Sequence, residues 1–290
     1  MSRKQPIDVQ PLNGALGARV TGVDLSGDPD NETFSAIVQA LHDHLVLTFP
    51  GQDLTPEAQS RFSQRFGPVE PHPYGSREGV DDKHPEVIVL ETKPGRRGAR
   101  NDFWHSDISA SERPPALSFL HARIVPEGRG DTMFCNMYRA FDTLSPALQE
   151  TLRGLDALHS PDAIRRRNLA EPDTDSPQIP AGLASYRHPV VRTHPETGRD
   201  ALYVNTFFTT QFADMTVEES RPLLAFLMDH ATRPENVYRH RWQAGDLVMW
   251  DNRATMHYAV RDYDESMPRR MHRTTAGGDR PFLKKRATAA

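Results

Sequence analysis

The stretch GDLVMWDNRATMHYAV, residues 245–260, decides the fold. Its apolar run LVMW predicts a buried strand, and Asp251 and Asn252 predict a polar turn directly after that strand. A further strand then carries His257. A histidine just beyond a buried strand is well placed to point into the mouth of a β-barrel, although a satisfied structural histidine would show the same pattern.

The segments around this stretch alternate between short strands and isolated helices. Strand patterns occur at residues 7–27 (a hairpin), 45–50, 87–92 and through most of the last third of the chain. Helical patterns occur at 31–44, 55–67 (with Thr55 as N-cap), 145–160 and 216–233, where Thr216 and Glu219 form a capping-box motif. These patterns predict one mainly β domain with peripheral helices (α+β), built as a sandwich or jelly roll and spanning residues 1–290.

Composition narrows the classes of function and the cellular compartment. The chain has 290 residues, a formal net charge of -4 and one cysteine, Cys135, in an apolar run. Nothing here predicts a basic face for nucleic acid, and no apolar run is long enough to predict a membrane span. A disulfide framework is impossible with one cysteine, and the first residues lack the apolar core of a signal peptide, so we expect a cytoplasmic protein.

The segment FWHSDIS, residues 103–109, carries a pair of groups that can bind a metal. If the segment is a strand, His105 and Asp107 project from the same face, because residues i and i+2 of a strand do so. With His257 they would supply two imidazoles and one carboxylate, the set that non-haem Fe(II) oxygenases use. An acid–base pair and a hydrogen-bonded surface pair remain alternatives for His105 and Asp107.

The segment RRMHRTT, residues 269–275, places two arginines on one face of a predicted strand. If Arg269 and Arg273 point into a β-rich interior, each needs an anionic partner, because an unpaired buried charge is very costly. One arginine could hold a dicarboxylate co-substrate and the other an anionic substrate, since guanidinium binds carboxylate and sulfonate groups in a bidentate way. A solvated basic strand is the alternative.

Taken together, the segments WHSD, GDTMF, GDLVMWDNRATMHYAV and RRMHRTTAGGDRPF resemble the taurine dioxygenase family of Fe(II)- and 2-oxoglutarate-dependent oxygenases. The resemblance runs from about residue 8 to residue 283 and implies a double-stranded β-helix, or jelly roll. It implies Fe(II) bound by His105, Asp107 and His257, with 2-oxoglutarate held by Thr132 and Arg269 and O₂ as the oxidant. It also implies release of succinate and CO₂, and a homo-oligomer, either a dimer or a tetramer.

The same resemblance suggests a small anionic substrate, either a sulfonate such as taurine or an alkyl sulfate. His72, Asn101 and Arg273 match the residue types that hold the sulfonate in taurine-type members, and Tyr74 and Phe207 are candidates for the apolar wall. Two features depart from the taurine pattern: Pro161 stands where an aromatic residue is usual, and the loop at 93–102 is unusually basic.

Three alternatives follow from these departures and from the fold. Part of the chain also resembles the phenoxy-herbicide dioxygenases, so an aryloxyalkanoate or another carboxylic acid is a second candidate substrate. A non-catalytic jelly-roll binding protein and a metal-dependent hydrolase are alternatives from other classes. Segments 72–82 and 160–186 have little apolar periodicity, and we predict that they form a lid that orders with substrate.

Overall fold

The computed structural model describes residues 7–70, 83–92, 101–162, 164–166, 182–263 and 266–285. The strands are β1 (Asp8–Pro11), β2 (Ala18–Thr21), β3 (Val46–Phe49), β4 (Ile88–Thr92), β5 (Leu117–Ile124), β6 (Thr132–Asn136), β7 (Asp156–His159), β8 (Tyr186–Pro189), β9 (Val191–Thr193), β10 (Asp200–Leu202), β11 (Thr209–Phe212), β12 (Val237–His240), β13 (Leu247–Asp251), β14 (Thr255–Ala259) and β15 (Arg269–Ala276). The helices are α1 (Asn31–His44), α2 (Pro56–Gln64), α3 (Met137–Asp142), α4 (Pro146–Arg153) and α5 (Val217–Ala231), with a 3₁₀ turn at Pro234–Asn236.

The strands form one large sheet and three smaller ones. The large sheet has the order β1-β2-β3-β13-β5-β15-β4. A three-stranded sheet with the order β12-β6-β14, called the small sheet below, carries His257 on β14. The remaining sheets are β11-β7-β8 and β10-β9. The polar turn that sequence analysis placed after the buried strand therefore joins the large sheet, at β13, to the small sheet, at β14.

Strand β13 is buried on both faces, which explains its unbroken apolar run. Val248 and Trp250 belong to the core cluster between the sheets, where the ring of Trp250 lies 5.4 Å from that of Phe134. Leu247 and Met249 point the other way and pack with residues of α1 and α2. Because side chains alternate along a strand, a strand covered on both sides is apolar on both faces, as residues 247–250 are.

Helices α2 and α5 begin directly after the N-cap residues that the sequence predicts. The Thr55 side chain accepts a hydrogen bond from the backbone N–H of Ala58, and Pro56 follows at the first helical position. Thr216 and Glu219 form the reciprocal capping box that starts α5. Both helices lie outside the strands, so the prediction of a mainly β fold with peripheral helices is confirmed in its architecture.

The helix predicted over residues 145–160 is wrong in its second half. Helix α4 ends at Arg153 with Gly154 as its C-cap, and residues 156–159 form β7 instead. Strand β7 pairs with both β8 and β11, and its residues Ala157 and His159 are buried. Tertiary pairing therefore overrides the helical periodicity of this short segment.

The predicted lid lies mostly or wholly in parts of the chain that the structure leaves out. Segment 72–82 lies wholly outside the described residues, as does the basic part of the loop at 93–102, which contains Arg96, Arg97 and Arg100. Of segment 160–186, residues 163 and 167–181 lie outside them. The lid therefore stays a prediction.

Buried His159 makes the fold sensitive to acid. Burial, together with the neighbouring His188, lowers the pKa of His159 from the ordinary value of 6.5 to about 3. The unfolded chain therefore binds more protons than the folded protein between pH 6.5 and 3, so stability is present above this window and is lost as pH falls through it. For this histidine alone we expect a loss of about 2 kcal/mol at pH 5.

The measurement is urea unfolding at pH 7 and pH 5. The variant His159→Gln should lose less stability than the parent between the two pH values, because the titrating group is gone. Ser220→Ala, which removes a buried hydroxyl that contacts only backbone groups, is the control and should keep the parent's pH dependence. An unchanged pH dependence in His159→Gln would contradict the assignment.

Candidate active site

Two backbone hydrogen bonds bring the segments of His105 and His257 together. The N–H of His105 donates to the carbonyl of His257 at 3.0 Å, and the N–H of His257 donates to the carbonyl of His105 at 2.8 Å. This isolated bridge places His105 beside β14, at the edge of the small sheet. The two imidazole rings consequently lie with their centroids 4.1 Å apart.

The strand predicted over residues 103–109 is wrong. Only His105 pairs with another strand, and residues 107–110 form a turn in which Ile108 has a φ of 50°. Asp107 therefore does not share a strand face with His105. The two side chains converge because the turn folds the carboxylate back toward the imidazoles.

His105, Asp107 and His257 meet in a buried cluster. Each offers one ligand atom, and these three atoms lie within 4.8 Å of one another. The Asp107 carboxylate oxygen Oδ1 is 3.8 Å from Nε2 of His105 and 3.7 Å from Nε2 of His257. The three residues come from two separate parts of the chain, as the sequence predicts.

The protonation states of the cluster suit metal ligands. Burial lowers the pKa of His257 well below its ordinary value, and the neighbouring His105 lowers it further. Burial alone would raise the pKa of Asp107, but the Arg273 guanidinium outweighs it, helped by the hydrogen bond from Ser118, so this pKa lies well below its usual range. The His257 imidazole is therefore neutral and the Asp107 carboxylate ionised, which are the forms that bind metals.

Nδ1 of His105 lies 2.9 Å from the carbonyl oxygen of Phe103. A carbonyl oxygen can only accept, so Nδ1 carries the proton and Nε2 keeps its lone pair for a metal. The donor set of two imidazole nitrogens and one carboxylate is that of facial-triad iron sites, so the residues present fit Fe(II).

A hydrogen-bond network behind Asp107 escaped sequence analysis. The Ser118 hydroxyl donates to Oδ2 of Asp107 at 2.6 Å, and the Asn252 amide donates to that hydroxyl at 2.9 Å. Oδ1 of Asn252 accepts from the backbone N–H of Asp107 and from Nε1 of Trp250. The sequence marked Asn252 only as a turn residue, and no spacing rule links Ser118 on β5 to the turn after β13.

Arg269 and Arg273 share the inner face of β15, as predicted. Nη2 of Arg273 lies 3.0 Å from Oδ1 of Asp107, an ionic contact whose angle is outside hydrogen-bond geometry. Nε of Arg273 and Nε of Arg269 are buried and have no hydrogen-bond partner among the described residues. Both guanidiniums therefore keep donors available for an anion, because buried donors are seldom left unpaired.

Arg269 lies against the main chain just before β6. A β-carbon added at Gly130 would come 3.5 Å from Nε of Arg269 and 3.2 Å from the Tyr263 ring, so both side chains lie against this stretch of backbone, and the φ of 72° at Gly130 favours glycine there. Thr132, two residues further on, is buried, and its hydroxyl oxygen accepts from Nε1 of Trp242 at 3.0 Å. The proton of the Thr132 hydroxyl is thereby left to donate elsewhere.

The other predicted substrate residues divide into two groups. Phe207 stacks on Phe103 with ring centroids 3.7 Å apart, and its ring centroid lies 6.4 Å from that of His105. Asn101 is half-buried, and its carbonyl accepts from the N–H of Ala259, two residues after His257. His72 and Tyr74 lie outside the described residues.

Trp104 lies beside the metal cluster and is partly buried. Its ring centroid is 5.7 Å from that of Tyr258, and it packs against the core cluster between the sheets. These contacts place Trp104 at the edge of the core. Phe103, which sequence analysis did not single out, packs against the His105 ring, with ring centroids 4.9 Å apart.

The chain is similar to known dioxygenases over most of its length. Residues 8–275 match the family model described as taurine catabolism dioxygenase TauD, TfdA family. An alpha-ketoglutarate-dependent sulfate ester dioxygenase from Pseudomonas putida is 37% identical over 287 residues, which cover 95% of this chain and 91% of the relative. An alpha-ketoglutarate-dependent 2,4-dichlorophenoxyacetate dioxygenase from Cupriavidus pinatubonensis is 36% identical and covers 93% of this chain and 97% of the relative.

A solved structure agrees over nearly the whole length. The crystal structure of a taurine dioxygenase from Burkholderia xenovorans superposes with a TM-score of 0.80 at 34% identity, covering 96% of this chain and 93% of that one. The family model and these relatives define the class. The chain belongs to the TauD/TfdA family of dioxygenases.

This result confirms the predictions of a double-stranded β-helix and of a 2-oxoglutarate-dependent dioxygenase. Fe(II), 2-oxoglutarate and O₂ are the cofactor and co-substrates of the class, as predicted. The alternatives of a non-catalytic binding protein and of a metal-dependent hydrolase are not retained. In the part of the chain that the structure describes, no helix is both long and apolar enough to cross a bilayer.

Proposed function

We propose that this enzyme hydroxylates a small organic anion with an apolar body, and that an alkyl sulfate ester is its preferred substrate class. His105, Asp107 and His257 hold Fe(II), while Thr132 and Arg269 bind the distal carboxylate of 2-oxoglutarate. Arg273 binds the anionic group of the substrate, helped by Asn101 and His72. Tyr74 and Phe207 form part of the wall around its carbon chain.

The observation that carries this proposal is the buried guanidinium of Arg273. It lies 3.0 Å from Asp107, and its Nε is without a hydrogen-bond partner among the described residues. One carboxylate oxygen does not satisfy five N–H donors in a buried position. A sulfate, sulfonate or carboxylate beside Asp107 would complete the pairing and would place the neighbouring carbon next to the metal.

The surface next to His105 favours a substrate with an apolar body. Phe103 and Phe207 stack beside that ligand, and Phe207 packs on a small cluster formed by Ile108, Ala110, Ile164 and Phe208. Apolar surface of this kind gains free energy by removing an alkyl or aryl group from water. The sulfate ester dioxygenase and the dichlorophenoxyacetate dioxygenase among the relatives act on anions that carry such groups.

When bound, Fe(II) and 2-oxoglutarate together supply the oxidation, in which one atom of O₂ enters succinate, CO₂ is lost and the other atom enters a substrate C–H bond. At the carbon that bears a sulfate ester, the hydroxylated product collapses to an aldehyde and sulfate with loss of one proton. The protein's contribution is to orient that carbon through Arg273 and to exclude water with Phe103 and Phe207.

A panel of substrates tests the proposal. Succinate release is measured with alkyl sulfates of increasing chain length, with taurine and with aryloxyacetic acids. We expect the largest kcat/KM for a medium-chain alkyl sulfate, with one sulfate formed for each succinate. A clear preference for the aryloxyacetic acids would favour the second candidate substrate class. A preference for taurine would contradict the proposal that the substrate has an apolar body.

The wall residue Phe207 provides a sharper test. Phe207→Ala should lower kcat/KM by about 10-fold for hexyl sulfate but leave ethyl sulfate nearly unaffected, because only the longer chain reaches the ring. Phe226→Ala removes an exposed ring on α5 and is the matched control. Equal losses for both esters would mean that Phe207 supports the fold of the site and does not contact the substrate.

The remaining predictions concern the whole molecule. The proposal includes a single catalytic domain over residues 1–290 that works in the reducing cytoplasm as a dimer or tetramer. The cysteine content supports the compartment, because a chain with one cysteine forms no internal disulfide, and Cys135 is a buried free thiol. The resemblance to oligomeric family members supports the assembly, which light scattering coupled to size-exclusion chromatography would measure.

A further inference from the structure

The orientation of the Asn252 amide is fixed by two groups that can only donate. The backbone N–H of Asp107 lies 3.2 Å from Oδ1 of Asn252, and Nε1 of Trp250 lies 3.0 Å from the same atom. An atom that receives two N–H groups must be the amide oxygen. The NH₂ group of Asn252 therefore faces the other way, toward the Ser118 hydroxyl at 2.9 Å.

This orientation in turn fixes the hydroxyl proton of Ser118. A hydroxyl has one proton, and because Asn252 donates to its oxygen, that proton is free to point at Oδ2 of Asp107, 2.6 Å away. A short O–H···O contact to an ionised carboxylate is among the stronger hydrogen bonds in proteins. Ser118 and Asn252 are both buried, so water does not compete for these contacts.

The two oxygens of Asp107 consequently have different surroundings. Oδ2 is engaged by Ser118, while Oδ1 faces the imidazoles of His105 and His257 at 3.8 and 3.7 Å and lies 3.0 Å from Nη2 of Arg273. A carboxylate held in this way presents one oxygen to a metal. The alternative, in which both oxygens bind, would occupy a coordination position that 2-oxoglutarate or O₂ needs.

We propose that Asn252 is a positioning residue which, through the Ser118 hydroxyl, holds Asp107 as a one-oxygen ligand and so keeps a metal position open. The inference rests on the proposed role of Asp107 as a ligand. Asn252 touches neither metal nor substrate in this scheme. It also ties the turn after β13 to the turn that carries Asp107, through its contact with the Asp107 backbone N–H.

The test measures Fe(II) affinity under anaerobic conditions, by calorimetry and without turnover. Ser118→Ala should weaken Fe(II) binding by 10- to 100-fold, the range typical for loss of a partner that orients a ligand. Ser118→Thr keeps the hydroxyl and should recover most of that affinity. Asn252→Ala should also weaken Fe(II) binding, because Ser118 loses the donor that orients its hydroxyl and the Asp107 backbone N–H loses its acceptor. The double variant should lose less than the sum of the two single losses, because the two residues share the contact through Ser118.

Ser220→Ala is the matched control for loss of a buried hydroxyl. Like Ser118, Ser220 is fully buried, and it donates one hydrogen bond, to the carbonyl of Thr216, and accepts one, from the N–H of Phe212. We expect it to lose a comparable amount of thermal stability and to keep Fe(II) affinity within about threefold of the parent. If Asn252→Ala does not fold, the comparison of Ser118→Ala with Ser118→Thr and Ser220→Ala decides the matter alone.

The variant Asp107→Ala distinguishes the ligand role of Asp107 from the positioning role of Asn252 and Ser118. If this variant binds Fe(II) as the parent does, the proposed ligand role of Asp107 fails. If Asp107→Ala loses Fe(II) but Ser118→Ala keeps it within about threefold of the parent, only the positioning role is overturned. An equal loss in Ser118→Ala and Ser220→Ala would also overturn it, because the effect would then be structural.

Discussion

The variant His257→Ala should lose Fe(II) binding and Fe(II)-dependent succinate formation while its fold stays intact. His257 lies in the small sheet, where its backbone is held by the bridge to His105, and replacing the side chain does not break those hydrogen bonds. We expect the Fe(II) dissociation constant to rise by more than about 100-fold, because loss of a ligand should exceed the 10- to 100-fold typical of an outer partner. His105→Ala should behave in the same way.

Anaerobic Fe(II) titration and a succinate assay measure the effect, and circular dichroism checks the fold. His230→Ala is the matched control, since His230 is a similarly buried histidine on α5 whose Nε2 lies 3.0 Å from the carbonyl of Ala140. The control should lose some thermal stability but keep parental Fe(II) affinity. Parental Fe(II) affinity in His257→Ala would remove that residue from the metal site.

Arg269→Ala and Arg273→Ala should have separate effects on the two organic substrates. Arg269 lies beside Gly130 and the start of β6, and its removal should raise KM for 2-oxoglutarate. Arg273 lies beside Asp107, and its removal should chiefly raise KM for the sulfate ester. Loss of a charge-assisted contact costs about 1.5–3 kcal/mol, so each increase should be roughly 10- to 150-fold.

Arg270→Ala is the control on the same strand. Its side chain leaves the opposite face of β15, and its backbone position pairs with Glu91 of β4. Neither KM should change by more than about threefold in this variant, because Arg270 lies on the outer side of the sheet. If both Arg269→Ala and Arg273→Ala alter only the 2-oxoglutarate KM, the model with one arginine for each anion is wrong.

To interpret the KM values of Arg273→Ala, the Fe(II) affinity of this variant must also be measured. Removing Arg273 takes a positive charge from beside Asp107 and could change metal binding as well as substrate binding. Titration of Fe(II) into this variant separates the two. An unchanged Fe(II) dissociation constant together with a raised KM for the ester assigns the effect to the substrate.

Much of the fold was predictable because its signals are local. The apolar run of β13 reflects burial on both faces, and the caps at Thr55 and Thr216 satisfy the first N–H groups of their helices. The failures were segments whose conformation depends on distant partners. Residues 156–159 form a strand because β8 and β11 pair with them, and no feature within those four residues indicates this.

The candidate site shows the same division between local and distant information. The residue types of the metal cluster were evident, but the argument that joined His105 to Asp107 along one strand face was wrong, because residues 107–110 form a turn. The family resemblance named the three residues that the structure brings together, whereas the local pattern gave a wrong reason for joining two of them. Ser118 and Asn252 were missed because they are 134 positions apart and ordinary in type.

The central claim is that this chain couples oxidation of 2-oxoglutarate to oxidation of an anionic substrate at the His105, Asp107 and His257 cluster. Oxygen uptake measured beside succinate and sulfate release, with hexyl sulfate as substrate, tests it most directly. We predict equal amounts of O₂ consumed, succinate formed and sulfate released, all dependent on added Fe(II) and all lost in His257→Ala. Sulfate release under argon without succinate, or undiminished O₂ uptake in His257→Ala, would contradict the account.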